Sequence, residues 1–117
     1  MIATLPEDGL PAVWVSQHAL DRVHQHHPRV GNHGAREMVA SAIEIDRGVA
    51  AELLQRRDVN PADLYLLASD RRGLLVVAPS RLAGSRYTHT LVTYLRFGQM
   101  QTALAERLYP PVQGGVA

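Results

Sequence analysis

The spacing of apolar residues changes character near residue 58. Before that point they recur at helical intervals, and after it they form short runs separated by polar turns. The clearest helical pattern places five apolar residues at i, i+3, i+4, i+7 and i+8 along one side of a helix: Ala35, Met38, Val39, Ala42 and Ile43. Helices followed by strands predict an α+β domain.

Two further helices and a short strand are predicted before residue 58. Ser16 is a suitable N-cap for a helix from Gln17 to about His27, where a proline follows. The strand precedes it, over residues 12–15. Gly48 marks a break or a kink after the amphipathic stripe. A short third helix then ends in a polar, basic stretch, Gln55, Arg56 and Arg57.

The pattern after residue 58 is typical of β-strands. Apolar runs at residues 64–69 and 74–78 flank a polar loop ending in glycine, which predicts a β-hairpin. Residues 87–97 form a third strand rich in threonine, and spaced apolar residues predict a final helix to Leu108. We expect the N-terminal helices to pack on one face of a three- to four-stranded antiparallel sheet, with a C-terminal helix and the other face of the sheet free.

The whole chain, residues 1–117, is expected to form a single domain, since a chain of this length has little room for a second core. The ordered core is predicted at about residues 12–109. Flexible termini are predicted over 1–11 and 110–117, where proline and glycine disfavour regular structure.

Composition limits the classes of partner. The 12 basic residues are all arginine and face 11 acidic residues, so the net charge of +1 does not by itself indicate nucleic acid. The chain has no cysteine, which excludes disulfides and thiolate chemistry. No apolar run approaches the roughly 20 residues of a membrane helix. We therefore expect a cytoplasmic protein with no membrane partner.

The third predicted strand presents a row of polar side chains. Strand alternation places six residues on one face: Arg86, Thr88, Thr90, Val92, Tyr94 and Arg96. Such a face could hold a phosphodiester, with the two arginines binding phosphate and the tyrosine stacking or donating a hydrogen bond. The alternative is an ordinary solvated sheet face.

His18 and Arg22 are four residues apart and therefore share one side of the first predicted helix. A neutral imidazole can take a proton from an RNA 2′-hydroxyl, while a nearby guanidinium steadies the charge that develops. The alternative is that His18 caps or packs and that Arg22 is a surface cation.

A histidine cluster permits a metal hypothesis. His24, His27 and His33 could supply imidazoles to zinc or nickel, although their spacing matches no known catalytic pattern. The main hypothesis requires neither a metal nor another cofactor.

Together these features resemble small domains of the barnase, EndoU, colicin and RelE-type (BECR) superfamily. The resemblance rests on a Ser-x-His-Ala-x-x-Arg helix start at residues 16–22, the following helix pair, the hairpin around 70–73 and the threonine-rich strand at 88–94. It covers roughly residues 13–108. It implies N-terminal helices on a curved antiparallel sheet and, as in phage and toxin-system members, ribonuclease activity without a metal.

The resemblance also implies roles for individual residues. His18 would be a general base or acid, and Arg22 would contact phosphate. On the last strand Arg86 and Thr90 would bind or polarise the scissile group, and His89 would be a partner of opposite protonation state. Strand alternation points His89 towards the helices and away from the neighbouring threonines, unless the start of the strand is bulged.

Two functions of different classes follow. The first is a toxin-like endoribonuclease that cleaves RNA by 2′-hydroxyl transesterification. The second is a non-enzymatic interaction module of a phage or mobile element, which binds or inhibits a host protein. A protein inhibitor, a host target and a homodimer are the candidate protein partners. The endoribonuclease hypothesis requires His18, Arg22 and the 86–90 segment to converge on one concave surface.

Overall fold

The computed structural model describes residues 2–55, 58–81 and 84–111. These residues form four helices and five strands in the order β1 (Val13–Val15), α1 (Gln17–His24), α2 (Asn32–Ser41), β2 (Ile43–Ile45), α3 (Arg47–Leu54), β3 (Leu64–Leu67), β4 (Gly73–Pro79), β5 (His89–Arg96) and α4 (Gln99–Leu108). The predicted α+β class is confirmed. The predicted helix end at Arg56 and Arg57, and residues 112–117 of the predicted flexible terminus, lie outside the described residues. In the described ranges no helix combines the length and the apolar character needed to cross a membrane.

The strands form one mixed sheet in the order β1-β5-β4-β3-β2. The predicted hairpin and third strand correspond to β3, β4 and β5, which are antiparallel neighbours. β1 runs parallel to β5, and β2 adds an antiparallel strand at the other edge. The sheet therefore has five strands rather than three to four, and it is not purely antiparallel. A long stretch of chain separates β1 from β5, and parallel strands require such a connection because a tight turn cannot join them.

The helix predicted from the amphipathic stripe ends earlier than expected, because Ile43 belongs to β2. α2 ends at Ser41, and Ala42 adopts an extended backbone. Ile43 therefore begins a strand that pairs with β3, as suits the β-branched Ile-Glu-Ile sequence. Gly48 is not a kink either. It lies in the first turn of α3, where its N–H donates to the Asp46 carboxylate at 3.2 Å.

Helices cover both faces of the sheet. α1 and α2 pack on one side, the α1/α2 face, through a core that includes Ala19, Val23, Ala35, Val39, Leu66 and Leu75. α3 and α4 pack on the opposite side, the α3/α4 face, through a core that includes Ala50, Leu53, Leu67, Leu74 and Ala105. Successive residues of β3 and β4 alternate between the two cores, as pleated strands require. The prediction that the N-terminal helices pack on one face and leave the other face free is therefore wrong, because α3 and α4 cover the second face.

A bulge in β5 changes which side chains share a face. Between Thr93 and Leu91 the pairing advances two residues on β5 but only one on β4, so Val92 is the extra residue. Thr93 pairs with Val76 and lies on the α3/α4 face. Tyr94 joins Leu91 in the core of the α1/α2 face. The polar row predicted on one face of this strand is therefore broken in the middle.

A buried arginine anchors the hairpin between β3 and β4. Arg71 is only 4% exposed and adopts φ 64°, in the left-handed region. Its guanidinium donates to the carbonyl oxygens of Ser69 at 2.7 Å, Tyr109 at 2.7 Å and Pro110 at 3.2 Å. Because Tyr109 and Pro110 follow α4, these bonds tie the end of that helix to the hairpin.

Residues 2–11 make defined contacts with the domain, although the sequence predicts no regular structure there. Leu5 is buried, and Thr4 forms a β-bridge with Pro11. Arg36 of α2 donates to both carboxylate oxygens of Asp8, at 2.6 and 3.2 Å, and to the carbonyl of Pro11. The arginine therefore holds this segment against α2.

The Asp8 contact predicts a pH-dependent stability. The hydrogen bond from Arg36 lowers the pKa of Asp8 below its usual 3.8. A carboxyl whose pKa is lower in the folded chain stabilises the fold above its unfolded pKa, and this contribution is lost as the pH falls through the folded pKa. Asp8→Asn should therefore melt below the wild type near neutral pH, and the gap should close below about pH 3.8. Thermal melts across an acid series measure this, and a gap that does not change with pH would contradict it.

Candidate active site

α1 lies along the edge of β5 because β1 covers only the first three residues of that strand. After β1 the chain turns at Ser16, whose N–H and hydroxyl donate to the carbonyls of Leu91 and Val92, both at 3.2 Å. The Ser16 oxygen also accepts from the N–H of Ala19 at 3.1 Å and caps the helix, as the sequence predicts. α1 therefore begins beside the bulge of β5.

One side of α1 is buried in the core, and another side is exposed to solvent. Ala19 and Val23 are buried in the core of the α1/α2 face, whereas His18 and Arg22 are exposed. These two polar side chains reach a groove of about 420 Å³ on the α3/α4 face. We call it the His18 groove, and its lining is His18, Arg22, Leu54, Asp58, Val59, Asn60, Asp63, Tyr65, Val76, Val92, Thr93 and Leu95.

His18 is held by a hydroxyl in the groove. Its Nε2 lies 3.2 Å from Oγ1 of Thr93, within hydrogen-bond distance. Strict alternation would place Thr93 with Leu91 on the α1/α2 face, and the bulge at Val92 brings it to the groove instead. The imidazole therefore has a defined orientation, although it is open to solvent.

Arg22 stands one helical turn from His18 along α1. Among the residues that the structure describes, its guanidinium makes neither a hydrogen bond nor an ion pair, whereas Arg36 and Arg86 bind carboxylates. A guanidinium carries five N–H donors in a planar fork that matches phosphate oxygens. Arg22 is therefore available for an anion in the groove.

A turn between α3 and β3 forms the opposite wall of the groove. The N–H of Asn60 donates to the Tyr65 hydroxyl at 2.9 Å, and the Asn60 side chain accepts from the N–H of Ala62 at 2.9 Å. This turn brings the side chains of Asp58 and Asp63 to the lining. The predictions made from the sequence give these two carboxylates no role. In the sequence they belong to a group of three polar residues around one proline, a pattern that is common in turns of any function.

His89 and Thr90, which the sequence predicts as catalytic, are not part of the groove lining. By register His89 pairs with Val13, whose side chain lies in the core of the α1/α2 face. The Nδ1 of His89 is 2.8 Å from Oγ1 of Thr88, and burial lowers the pKa of His89. Thr90 pairs with Trp14 outside the groove. The structure therefore does not bring His89 to His18.

The predicted phosphate ligands at the start of β5 also lie outside the groove. Arg86 donates to Glu7 at 2.5 Å, and its guanidinium carbon is 5.6 Å from the centroid of the Tyr87 ring. Thr88 directs its hydroxyl towards the carbonyl of Ala12 at 3.4 Å. His18 and Arg22 therefore converge with each other and with Thr93, but not with the 86–90 segment.

Tyr94 and Arg96 follow the bulge and lie away from the groove. Tyr94 is 2% exposed, so in this structure its ring has no open face for base stacking, one of the two roles that the sequence suggests for it. Its hydroxyl accepts from Arg96 at 3.3 Å, and burial raises its pKa. A Cβ at Gly73 would lie 2.5 Å from the ring, so only glycine lets the tyrosine pack this closely on β4.

The histidines of the metal hypothesis are dispersed. Across residues 2–55, 58–81 and 84–111, no three or more His, Cys, Asp or Glu side chains are grouped so that they could hold a metal ion. The Nε2 of His24 is 2.5 Å from the carbonyl of Val30, and His33 faces Glu37 at 3.8 Å. Within the described residues the buried Nε2 of His27 has no hydrogen-bond partner.

No protein-family model matches the chain, and searches of curated proteins and of solved structures find no significant match. The assignment of chemistry therefore depends on the side chains of the His18 groove. The groove combines an oriented imidazole, a guanidinium with no partner among the described residues, and two carboxylates in an open surface. These groups are suited to proton transfer beside an anionic centre.

Proposed function

We propose that the chain is a metal-independent, toxin-like endoribonuclease that cleaves RNA by 2′-hydroxyl transesterification, as the resemblance to BECR domains implies. One observation carries the proposal. The His18 imidazole, hydrogen-bonded to Thr93, lines the same open groove as Arg22, whose guanidinium has no partner among the described residues. Histidine is the side chain that most often transfers protons near neutral pH, and arginine is the best phosphate fork.

In the proposed reaction His18 accepts the proton of the 2′-hydroxyl. The 2′-oxygen then bonds to the adjacent phosphorus, and the 5′-oxygen leaves with its electron pair and takes a proton from water. The products are a 2′,3′-cyclic phosphate and a free 5′-hydroxyl. When Nε2 of His18 donates to Thr93, Nδ1 is the nitrogen that remains to accept the proton. Thr93 acts as a positioning residue by fixing this ring.

The charges of the groove favour one orientation of the proposed RNA substrate. Arg22 stands on the α1 wall, and Asp58 and Asp63 stand on the opposite wall. A phosphate is attracted to the first wall and repelled by the second. In the proposed complex the scissile phosphate lies against α1, where Arg22 would stabilise the charge that builds up during attack. The carboxylates are left to accept N–H groups from a base edge.

Incubation of the purified protein with total RNA in excess EDTA tests the proposed function. The wild type should cleave the RNA and leave 2′,3′-cyclic phosphate ends, and His18→Ala should not. His33→Ala, which removes an exposed histidine outside the groove, should cleave like the wild type. Absence of cleavage by the wild type would reject the ribonuclease and favour the protein-interaction module.

Arg22→Ala should lower kcat/KM by about 100-fold, because a preorganised donor to the developing charge is lost. Arg29→Ala provides the matched control, since Arg29 is an exposed arginine that follows α1 and does not line the groove. Its kcat/KM should change by less than about threefold. Steady-state cleavage of a labelled oligoribonucleotide measures both variants. Equal losses in the two would show that Arg22 contributes only general positive charge.

A further inference from the structure

Trp14 is an exposed aromatic residue on the sheet face that carries the His18 groove. Its side chain is 57% exposed, although Val13 and Val15 on either side of it are buried in the core of the α1/α2 face. Because strand side chains alternate, Trp14 projects from the α3/α4 face. It is not part of the groove lining, so the proposed reaction leaves it without a role.

Two neighbours complete an aromatic platform with Trp14. The ring of Tyr87 meets Trp14 edge to face, with centroids 5.5 Å apart and an interplanar angle of 65°. The guanidinium of Arg86 lies against the Tyr87 ring and is held by Glu7. We call Trp14, Tyr87 and Arg86 the Trp14 platform. These contacts orient the indole while much of its surface stays open.

The Trp14 platform and the His18 groove are joined along β5. Trp14 pairs with Thr90, and two residues further along the strand Val92 is 39% exposed and lines the groove. A strand rises about 3.3 Å per residue, so this step covers about 6.6 Å. An extended polymer that occupies the groove beside Val92 therefore reaches the platform without leaving the sheet face.

We infer that the Trp14 platform binds a base of single-stranded RNA next to the nucleotide held in the His18 groove. An open indole face binds a base by stacking, and a base inside a duplex has no free face to offer. Arg22 stands near one end of this path, and its guanidinium attracts a polyanion rather than an apolar partner, whereas Arg86 at the other end is paired with Glu7. The inference rests on the proposed function for the identity of its ligand.

Trp14 is the only tryptophan of the chain, so its fluorescence reports on this surface alone. The probe is a short mixed-sequence 2′-O-methyl oligoribonucleotide, which lacks the nucleophile that cleavage requires. The single strand should quench Trp14 fluorescence saturably, and the same sequence in a duplex should not.

Variants assign the binding to the Trp14 platform. Trp14→Ala should weaken binding of the labelled single strand by about tenfold or more, as measured by fluorescence anisotropy, and Trp14→Phe should retain most of it. Met100→Ala removes an 87% exposed side chain on α4, outside both surfaces, and should bind like the wild type. Circular dichroism checks that each variant is folded.

The outcomes separate this inference from the proposed function. Oligonucleotide binding that leaves Trp14 fluorescence unchanged and survives Trp14→Ala would overturn the inference, even if the protein cleaves RNA. Equal quenching by the duplex, or no quenching by any oligonucleotide, would also overturn it and would favour a protein partner for this surface. Trp14-dependent binding by a protein that does not cleave RNA would support the inference and reject the proposed function.

Discussion

His18→Ala should lower kcat for RNA cleavage by about 10²- to 10⁴-fold, the usual contribution of a positioned general base. His18 is exposed, and its only hydrogen bond within the described residues is to Thr93. The substitution should therefore change the free energy of unfolding by less than about 0.5 kcal/mol. Single-turnover cleavage at saturating protein, together with thermal melts, separates the loss of chemistry from a loss of fold.

Two further variants test the role of the imidazole. His18→Gln keeps a polar group near Thr93 but cannot take the proton, so it should be as inactive as His18→Ala. Thr93→Val removes only the hydroxyl that orients the ring and should cost about tenfold. Thr90→Val makes the same change three residues away, outside the groove, and should have little effect. Substantial activity in His18→Gln would show that His18 binds RNA rather than accepting the proton.

Arg71→Ala should produce the largest loss of stability. A hydrogen bond to a charged group is worth about 1.5 to 3 kcal/mol, and Arg71 donates to three backbone carbonyls from a buried position. We expect the free energy of unfolding to fall by about 3 kcal/mol or more, since the carbonyls lose a buried donor. For a domain of this size that lowers Tm by roughly 12 °C.

The adjacent residue supplies the control for Arg71. Arg72 is exposed, so Arg72→Ala should change the free energy of unfolding by less than about 0.5 kcal/mol. Arg71→Lys keeps the charge but not the planar fork and should recover only part of the stability. Urea unfolding followed by circular dichroism measures all three variants. Equal stability of Arg71→Ala and Arg72→Ala would show that the hydrogen bonds from Arg71 to the end of α4 contribute nothing to the free energy of unfolding.

Local patterns in the sequence predicted the helices and the hairpin because the signals for these elements lie within a few residues. Ser16 marks the start of α1, and Gly73, the glycine that ends the polar loop predicted from the sequence, is the first residue of β4. The parallel pairing of β1 with β5 joins segments far apart in the chain, and no short-range pattern encodes it. The distribution of helices over two faces was missed for the same reason.

The candidate site was predictable where one helix defines it. His18 and Arg22 share a side of α1 by spacing alone, and both line the groove. The partners from β5 were assigned by strict alternation, which the bulge at Val92 breaks. A single extra residue exchanges the faces of every later side chain. This exchange brings Thr93 to the groove and takes Tyr94 away from it.

The most direct test of the central claim is whether cleavage requires a 2′-hydroxyl group. A DNA oligonucleotide with one internal ribonucleotide offers a single nucleophile for the proposed reaction. We expect cleavage only at the bond that follows this ribonucleotide, with a 2′,3′-cyclic phosphate on one product and a 5′-hydroxyl on the other. Cleavage at deoxynucleotide positions, or products with 5′-phosphates, would contradict 2′-hydroxyl transesterification at His18.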